Sequence, residues 1–281
     1  MSPKALLNLS RLLVHAVIAA KKAGEAILEV YGSEFSIERK ADSSPLTVAD
    51  KRSHEIITER LKGLQNARFP LLSEEGRDIP YGERREWKYY WLIDPLDGTK
   101  EFIRRNGEFT VNIALMYKDR PVMGVILVPA GDILYFAAEG RGSFKVSDTS
   151  WINDTLSVEE LEEKSHRLPV KTLLKTRPFT AIASRSHMSD ETGSYLGRLK
   201  KEHGEVEIVS SGSSLKFCLV AEGAADVYPR FGPTMEWDTA AGQAIVEQSG
   251  GAVLHHKTGE PLRYNKESLL NPWFIVHLRK F

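Results

Sequence analysis

One cysteine, Cys218, stands among 281 residues, so no internal disulfide can form and the chain suits a reducing compartment. Net charge is missing too. The 38 basic residues balance 38 acidic ones, which removes any global field for nucleic acid or an anionic membrane. Attraction for a phosphate must therefore be local. No apolar run of about 18 residues occurs, so no membrane-spanning helix is expected. The apolar segment 12–20 is broken by His15 and keeps a helical period, which does not make a signal peptide. No Cys/His cluster competes for zinc, and no basic-aromatic stripe reads as a nucleic-acid surface.

What is present is an ordinary globular apolar share, 42%, in a length that allows one large domain or two subdomains. The chain is organised around Trp91-Leu-Ile-Asp-Pro-Leu-Asp-Gly-Thr-Lys-Glu-Phe102. Residues 89–93 read as a buried strand that stops at Asp94-Pro95. Asp94 and Asp97 then sit three residues apart on a turn. Gly98 supplies conformational freedom, and Thr99 is placed to cap a short helix over 100–103. Two hard oxygen ligands thus meet amides at a helix N-terminus, which suits Mg²⁺ beside a phosphate.

The rest of the chain alternates in period. Residues 9–31 repeat at i, i+3, i+4, i+7 and predict a long amphipathic helix stopped by Gly32. Residues 35–40 suggest a strand and 41–45 a loop. Thr47 and Asp50 open a second helix as a capping pair, although Asp50 can instead approach the acids and help activate water. Residues 69–72 predict a strand ending at Glu74 and Glu75, and 77–88 an exposed loop. Runs at 109–117, 122–128 and 133–138 predict an antiparallel meander, with 143–146 a further strand. The polar stretch 151–174 lacks a clean period and reads as a boundary or peripheral insertion. Beyond it, strands at 179–183, 205–209, 225–228, 252–255 and 273–278 alternate with helices at 188–202, 215–222 and 238–248. This pattern argues for a layered α/β (α+β) sandwich of two subdomains, 1–165 and 166–281, forming one catalytic unit. Asp238, at a helix start, reads either as an N-cap or as a fourth metal acid.

These residues resemble a known family. Asp94-Pro-Leu-Asp-Gly-Thr99, with Glu74-Glu75 upstream and Trp237-Asp-Thr-Ala-Ala-Gly242 downstream, is similar to the Mg²⁺-dependent, lithium-sensitive inositol monophosphatase superfamily, which is inositol monophosphatase/fructose-bisphosphatase-like in fold. The stretches 212–223 and 228–233 resemble its bacterial 3′(2′),5′-bisphosphate nucleotidase branch. Residues 147–175 match weakly. The resemblance implies that Glu74, Asp94, the Leu96 carbonyl, Asp97 and Asp238 hold two or three Mg²⁺ ions. It implies that Glu74 and Thr99 orient the attacking water, with Asp50 as an alternative base. For the substrate it implies Leu96, Asp97, Gly98, Thr99, Ser184, His187, Ser213, Lys216, Arg230 and Asp238. His187 read by itself is equally a capping or packing histidine. The implied reaction is removal of the 3′-phosphate of adenosine 3′,5′-bisphosphate, in sulfur assimilation, with the sulfated precursor as a further substrate. The partner is then a small nucleotide rather than a nucleic-acid polymer. The implied location is the cytoplasm, with some relatives described at the cytoplasmic face of the inner membrane. The rival on the same fold is an inositol or sugar phosphatase, and the rival of another class is a silent nucleotide binder.

Overall fold

The computed structural model describes residues 8–34, 37–39, 45–64, 68–173, 177–184 and 189–278, the side chains of residues 37–39, 45, 46 and 184 excepted. Helix α1, Leu9–Tyr31, is opened by the Asn8 side chain, which accepts the Arg11 amide at 3.0 Å. A short antiparallel pair, β1 (Ile37–Arg39) and β2 (Pro45–Thr47), leads into α2, Val48–Lys62. Then follow β3 (Leu71–Ser73), α3 (Tyr81–Arg84), β4 (Tyr89–Asp97), α4 (Thr99–Ile103), β5 (Thr110–Tyr117), β6 (Arg120–Val128), β7 (Ile133–Ala138), β8 (Gly142–Ser147), α5 (Val158–Glu163) and β9 (His166–Arg167). The second half runs β10 (Phe179–Ser184), α6 (Asp190–His203), β11 (Val206–Ser211), α7 (Leu215–Glu222), β12 (Val227–Arg230), α8 (Glu236–Gln248), β13 (Ala252–His255) and β14 (Phe274–His277).

The larger sheet has the order β3-β4-β5-β6-β7-β8-β9, antiparallel throughout except for the parallel pair β3–β4. The smaller has the order β11-β10-β12-β14-β13. Side-chain alternation decides how they stack. Trp91, Ile93, Ile113, Val125 and Leu127 face one way, into a core shared with α1 and α2. Tyr90, Leu92, Ala114, Ile126 and Tyr135 face the other way, into a core shared with α7, α8 and the smaller sheet. A third cluster, including Ala181, Leu196 and Val227, joins the smaller sheet to α6. The result is five layers, helix-sheet-helix-sheet-helix, with the larger sheet buried on both faces. That is why its strands read as near-continuous apolar runs. At Gly124 the sheet meets the α8 backbone directly: a Cβ there would lie 2.3 Å from the Ala241 carbonyl oxygen.

Two expectations need correction, and segment 151–174, read as a boundary or peripheral insertion, is seen to carry regular structure. Segment 77–88 is not simply an exposed loop. It contains α3, and Arg84 is buried, donating to Asn265 Oδ1 at 2.9 Å and to the Glu267 carbonyl at 2.8 Å. Segment 151–174 contributes α5, whose Leu161 is fully buried, and the edge strand β9. The other correction is β4, which does not stop at Ile93 but runs on through Asp97. The strand expected over 35–40 is described only at Ile37–Arg39, and the loop call at 41–45 lies outside the described residues except for Pro45.

Candidate active site

The continuation of β4 places the two aspartates. Asp94 pairs across the sheet with Asn112, and Asp97 with Thr110. Three steps along β4 thus answer two along β5, so one residue is bulged out. On a regular strand, residues three apart point to opposite faces. The bulge restores the phase, so both carboxylates turn to the α8 side of the sheet. Pro95, which has no ladder donor to lose, sits within the bulge. Helix α2 clamps it from behind: Ser53 Oγ donates to the Pro95 carbonyl at 2.6 Å. The next residue, His54, meets Ser73 Oγ through Nδ1 at 2.9 Å, next to Glu74. Because β3 and β4 are parallel, Glu74 follows its strand at the same end of the sheet as Asp94. Its amide donates to the Ile93 carbonyl at 3.1 Å.

Asp50 caps α2 and also reaches Thr99 at the start of α4. One oxygen accepts the Thr47 amide at 2.8 Å and the Thr47 hydroxyl at 2.6 Å, closing a capping box. The other oxygen lies 3.3 Å from Thr99 Oγ1. Thr99 does not cap α4. Gly98 holds the N-cap position in the left-handed region, φ 89°, and the Thr99 hydroxyl faces Asp50 and the Leu96 carbonyl, at 3.3 and 3.5 Å. Thr99 itself is the first helical residue, and capping needs the extended backbone of the residue before the helix, so its side chain turns away from the free amides.

Asp238 enters from α8. Its carboxylate accepts the Met235 amide at 2.9 Å, so it completes a helix start and faces the other acids. Asp94 is 1% exposed, and burial drives its pKa well above the ordinary carboxylate value. The charges of Glu74, Asp97, Asp238 and Asp50 add to the shift. Asp238 is raised in the same way, first by burial and then by Asp97 and Glu74, against the opposing Met235 amide and Arg230. Among the described residues, no three acidic, histidine or cysteine side chains already form a closed ligand set. The donors on offer are all oxygens, the chemistry that Mg²⁺ takes.

At the acids, a solvent-open cleft of about 110 Å³ is lined by Asp97, Ser213, Ser214, Lys216, Arg230 and Asp238, among others. Lys216 and Arg230 are both buried. Burial, reinforced by Arg230 and opposed by Asp97, lowers the Lys216 pKa to about 8. Its ammonium donates to the Ser213 carbonyl at 2.5 Å. The Ser213 hydroxyl and Arg230 Nε are buried without a hydrogen-bond partner among the described residues, as expected of donors that await an acceptor. The Ser184 side chain and all of His187 lie outside the described residues.

Two residues of the site went unnoticed in the sequence. Asn112 donates to Ser214 Oγ at 2.9 Å, and Ser214 in turn faces Asp97 and α8. The available signal was an amide in the middle of the apolar run 109–117, at the strand position opposite Asp94. Cys218 is fully buried, and burial raises its thiol pKa, so it is packing rather than a nucleophile.

A sequence model described as the inositol monophosphatase family matches residues 8–274. A 3′(2′),5′-bisphosphate nucleotidase CysQ of Salmonella typhimurium is 46% identical over 261 residues, covering 92% of this chain and 96% of that protein. The protein of the same name from Escherichia coli K12 is 44% identical over 263 residues, again covering 92% and 96%. Among solved structures, CysQ from Bacteroides thetaiotaomicron superposes with a TM-score of 0.88 at 52% identity, covering 98% of this chain and 99% of its own. The suppressor protein suhB of Bartonella henselae superposes with a TM-score of 0.71 at 27% identity, covering 96% and 95%.

Proposed function

As the chain belongs to the inositol monophosphatase family, we propose that it is a Mg²⁺-dependent 3′(2′),5′-bisphosphate nucleotidase that converts adenosine 3′,5′-bisphosphate to AMP and phosphate. The observation that carries this reading is a cleft with charges of both signs. Its lining combines the carboxylates of Asp97 and Asp238 with the buried cations Lys216 and Arg230. A monophosphate needs only the acids; a second phosphate gives the cations their counter-charge.

Glu74, Asp94, Asp97, Asp238 and the Leu96 carbonyl would hold two or three Mg²⁺ ions. Bound there, Mg²⁺ supplies charge neutralisation at the phosphoryl oxygens and a lowered pKa for water. The remaining work falls to the chain itself. Thr99 and Asp50, 3.3 Å apart, form a relay that can orient a water and accept its proton, with Glu74 beside them. The Gly98 and Thr99 amides open α4 toward the phosphoryl group. Lys216, Arg230 and Ser213 anchor the second phosphate, and the family resemblance adds Ser184 and His187. Asp94 and Asp97 come from segment 1–165, and Lys216, Arg230 and Asp238 from 166–281, so the two proposed subdomains make one catalytic unit. A reducing cytoplasm is the proposed setting, supported by the lone free Cys218. Among the described residues, no helix is long and apolar enough to cross a membrane.

Phosphate release from adenosine 3′,5′-bisphosphate and from inositol 1-phosphate, with Mg²⁺ and then with added Li⁺ or Ca²⁺, tests the reading. We expect strong preference for the nucleotide and inhibition by either added ion. Preference for inositol phosphate would overturn the substrate assignment.

A further inference from the structure

Ser214 occupies the N-cap position of α7, yet its side chain caps nothing. A serine there ordinarily turns its oxygen to a free amide of the first turn. This hydroxyl, on a residue 1% exposed, is spent elsewhere. It accepts from Asn112 Nδ2 at 2.9 Å, and it lies 2.8 Å from Asp97 Oδ2 and 2.7 Å from the Asp238 carbonyl. A hydroxyl carries one proton, so it serves one of those two acceptors at a time. The orientation of Asn112 keeps that proton available. Were the amide turned over, its carbonyl would take the serine proton, and Asp97 would face only lone pairs. Three elements thus meet on one oxygen: β5, the end of β4 and the first turn of α8.

Building on the cation-dependent reading above, we propose that Ser214 is a positioning residue. Its hydroxyl, anchored by Asn112, stands between Asp97 and the first turn of α8, gives its proton to one or the other, and so fixes the spacing of Asp97 and Asp238. The second acceptor gives the proton a place to go when Asp97 Oδ2 is claimed by another group. Because the hydroxyl caps no helix amide, its removal takes no cap from α7. It does leave the buried Asn112 amide without its acceptor, so the Mg²⁺ titration, rather than the melt, separates a positioning role from a structural one.

The test uses Ser214→Ala and Ser214→Cys, the second retaining a weak donor. Mg²⁺ is titrated calorimetrically into metal-free protein. Thermal melting without metal and steady-state kinetics on adenosine 3′,5′-bisphosphate follow. Removing a hydrogen bond that orients a metal ligand typically costs tenfold or more in affinity. We therefore expect Ser214→Ala to bind Mg²⁺ about tenfold more weakly, and Ser214→Cys to fall between it and the wild type. The metal-free Tm should fall by about 2–8 °C in Ser214→Ala and by less in Ser214→Cys. KM should hold within about twofold, and lost kcat should return as Mg²⁺ is raised. Wild-type Mg²⁺ affinity in Ser214→Ala would overturn the proposal, as would a kcat loss that saturating Mg²⁺ leaves in place. If Ser214→Ala does not fold, Ser214→Cys decides by the same readouts. A wild-type protein that binds Mg²⁺ but leaves the bisphosphate intact overturns the nucleotidase reading, while the calorimetric comparison still decides the role of Ser214.

Discussion

The hydroxyl of Thr99 lies 3.3 Å from Asp50 Oδ1, joining the start of α4 to the start of α2 across the candidate site. Asp50 is held from its other oxygen by Thr47, so the acceptor that Thr99 meets is already fixed in place. Thr99→Ala removes the relay and leaves the helix cap alone. Its kcat should fall about tenfold to a hundredfold with little change in KM, since proton relays contribute on the order of 10²–10⁴ in rate. Asp50→Asn should lose similar activity and also about 1 kcal/mol of stability, because it weakens a capping box. Steady-state kinetics and thermal melting of both variants check this; unchanged kcat in Thr99→Ala would remove the relay from the mechanism.

Asp94 and Asp238 both carry raised pKa values in the folded protein. Folding without metal therefore takes up protons at these groups. The cost is absent below the ordinary carboxylate range and grows as pH rises from that range toward the raised values. Metal-free protein should be more stable at about pH 5.5 than at about pH 8 on this account, and Mg²⁺ should raise Tm more at the higher pH. Asp94→Asn, Asp97→Asn and Asp238→Asn should each abolish turnover. Asp94→Asn should not destabilise the metal-free protein at pH 8, because it removes a buried, repelled charge. Melting curves at the two pH values, with and without Mg²⁺, decide the point.

Lys216 titrates at about 8, well below the ordinary lysine value of 10.5. At neutral pH it is still mostly charged and able to hold a phosphate; above about 8 it is not. The kcat/KM for the bisphosphate should accordingly fall as pH rises through about 8, while that for a small monophosphate does not follow it. Lys216→Arg, charged throughout, should lose this limb of the profile. The same depressed pKa penalises the folded state below about 8, where the unfolded chain holds the proton more tightly, and the penalty shrinks as pH rises toward 10.5. A bisphosphate profile that stays flat to pH 10 would show that Lys216 does not anchor the second phosphate.

Gly124→Ala places a methyl group 2.3 Å from the Ala241 carbonyl oxygen, a backbone atom that cannot swing aside. Overpacking of this kind costs about 2–3 kcal/mol. Helix α8 must lift from the sheet, and Asp238 moves with it, so Mg²⁺ affinity should drop together with stability. Denaturant unfolding and Mg²⁺ titration of this one variant test both; a stable variant with weak Mg²⁺ binding would break the expected link.

The layered fold was legible in the sequence where burial imposes a period. The meander from 109 to 138 and the alternation after 179 were readable because every turn carries its own Pro, Gly or Asp. The acids were readable because their spacing around Pro95 is so local. Asn112 and Ser214 were hidden because their importance lies in register and in a loop meeting a strand from far along the chain. Thr99 was misread as a cap because its neighbour Gly98 takes the left-handed position that starts the helix. Arg84 was assigned to an exposed loop because the Asn265 and Glu267 acceptors that bury it lie in a distant loop.

The contact between Gly124 and α8 also bears on the order in which the molecule is made. The strands from β4 to β8 pair with their immediate neighbours in sequence and can zip up early. Helix α8 comes from much later in the chain and can dock only on a sheet that already exists. Asp238 therefore meets Asp94 and Asp97 near the end of assembly. A half-folded chain can bring Glu74, Asp94 and Asp97 together on the sheet but lacks Asp238. On the proposed reading, the full set of acids exists only once α8 has docked, and a divalent ion added there would favour that last step.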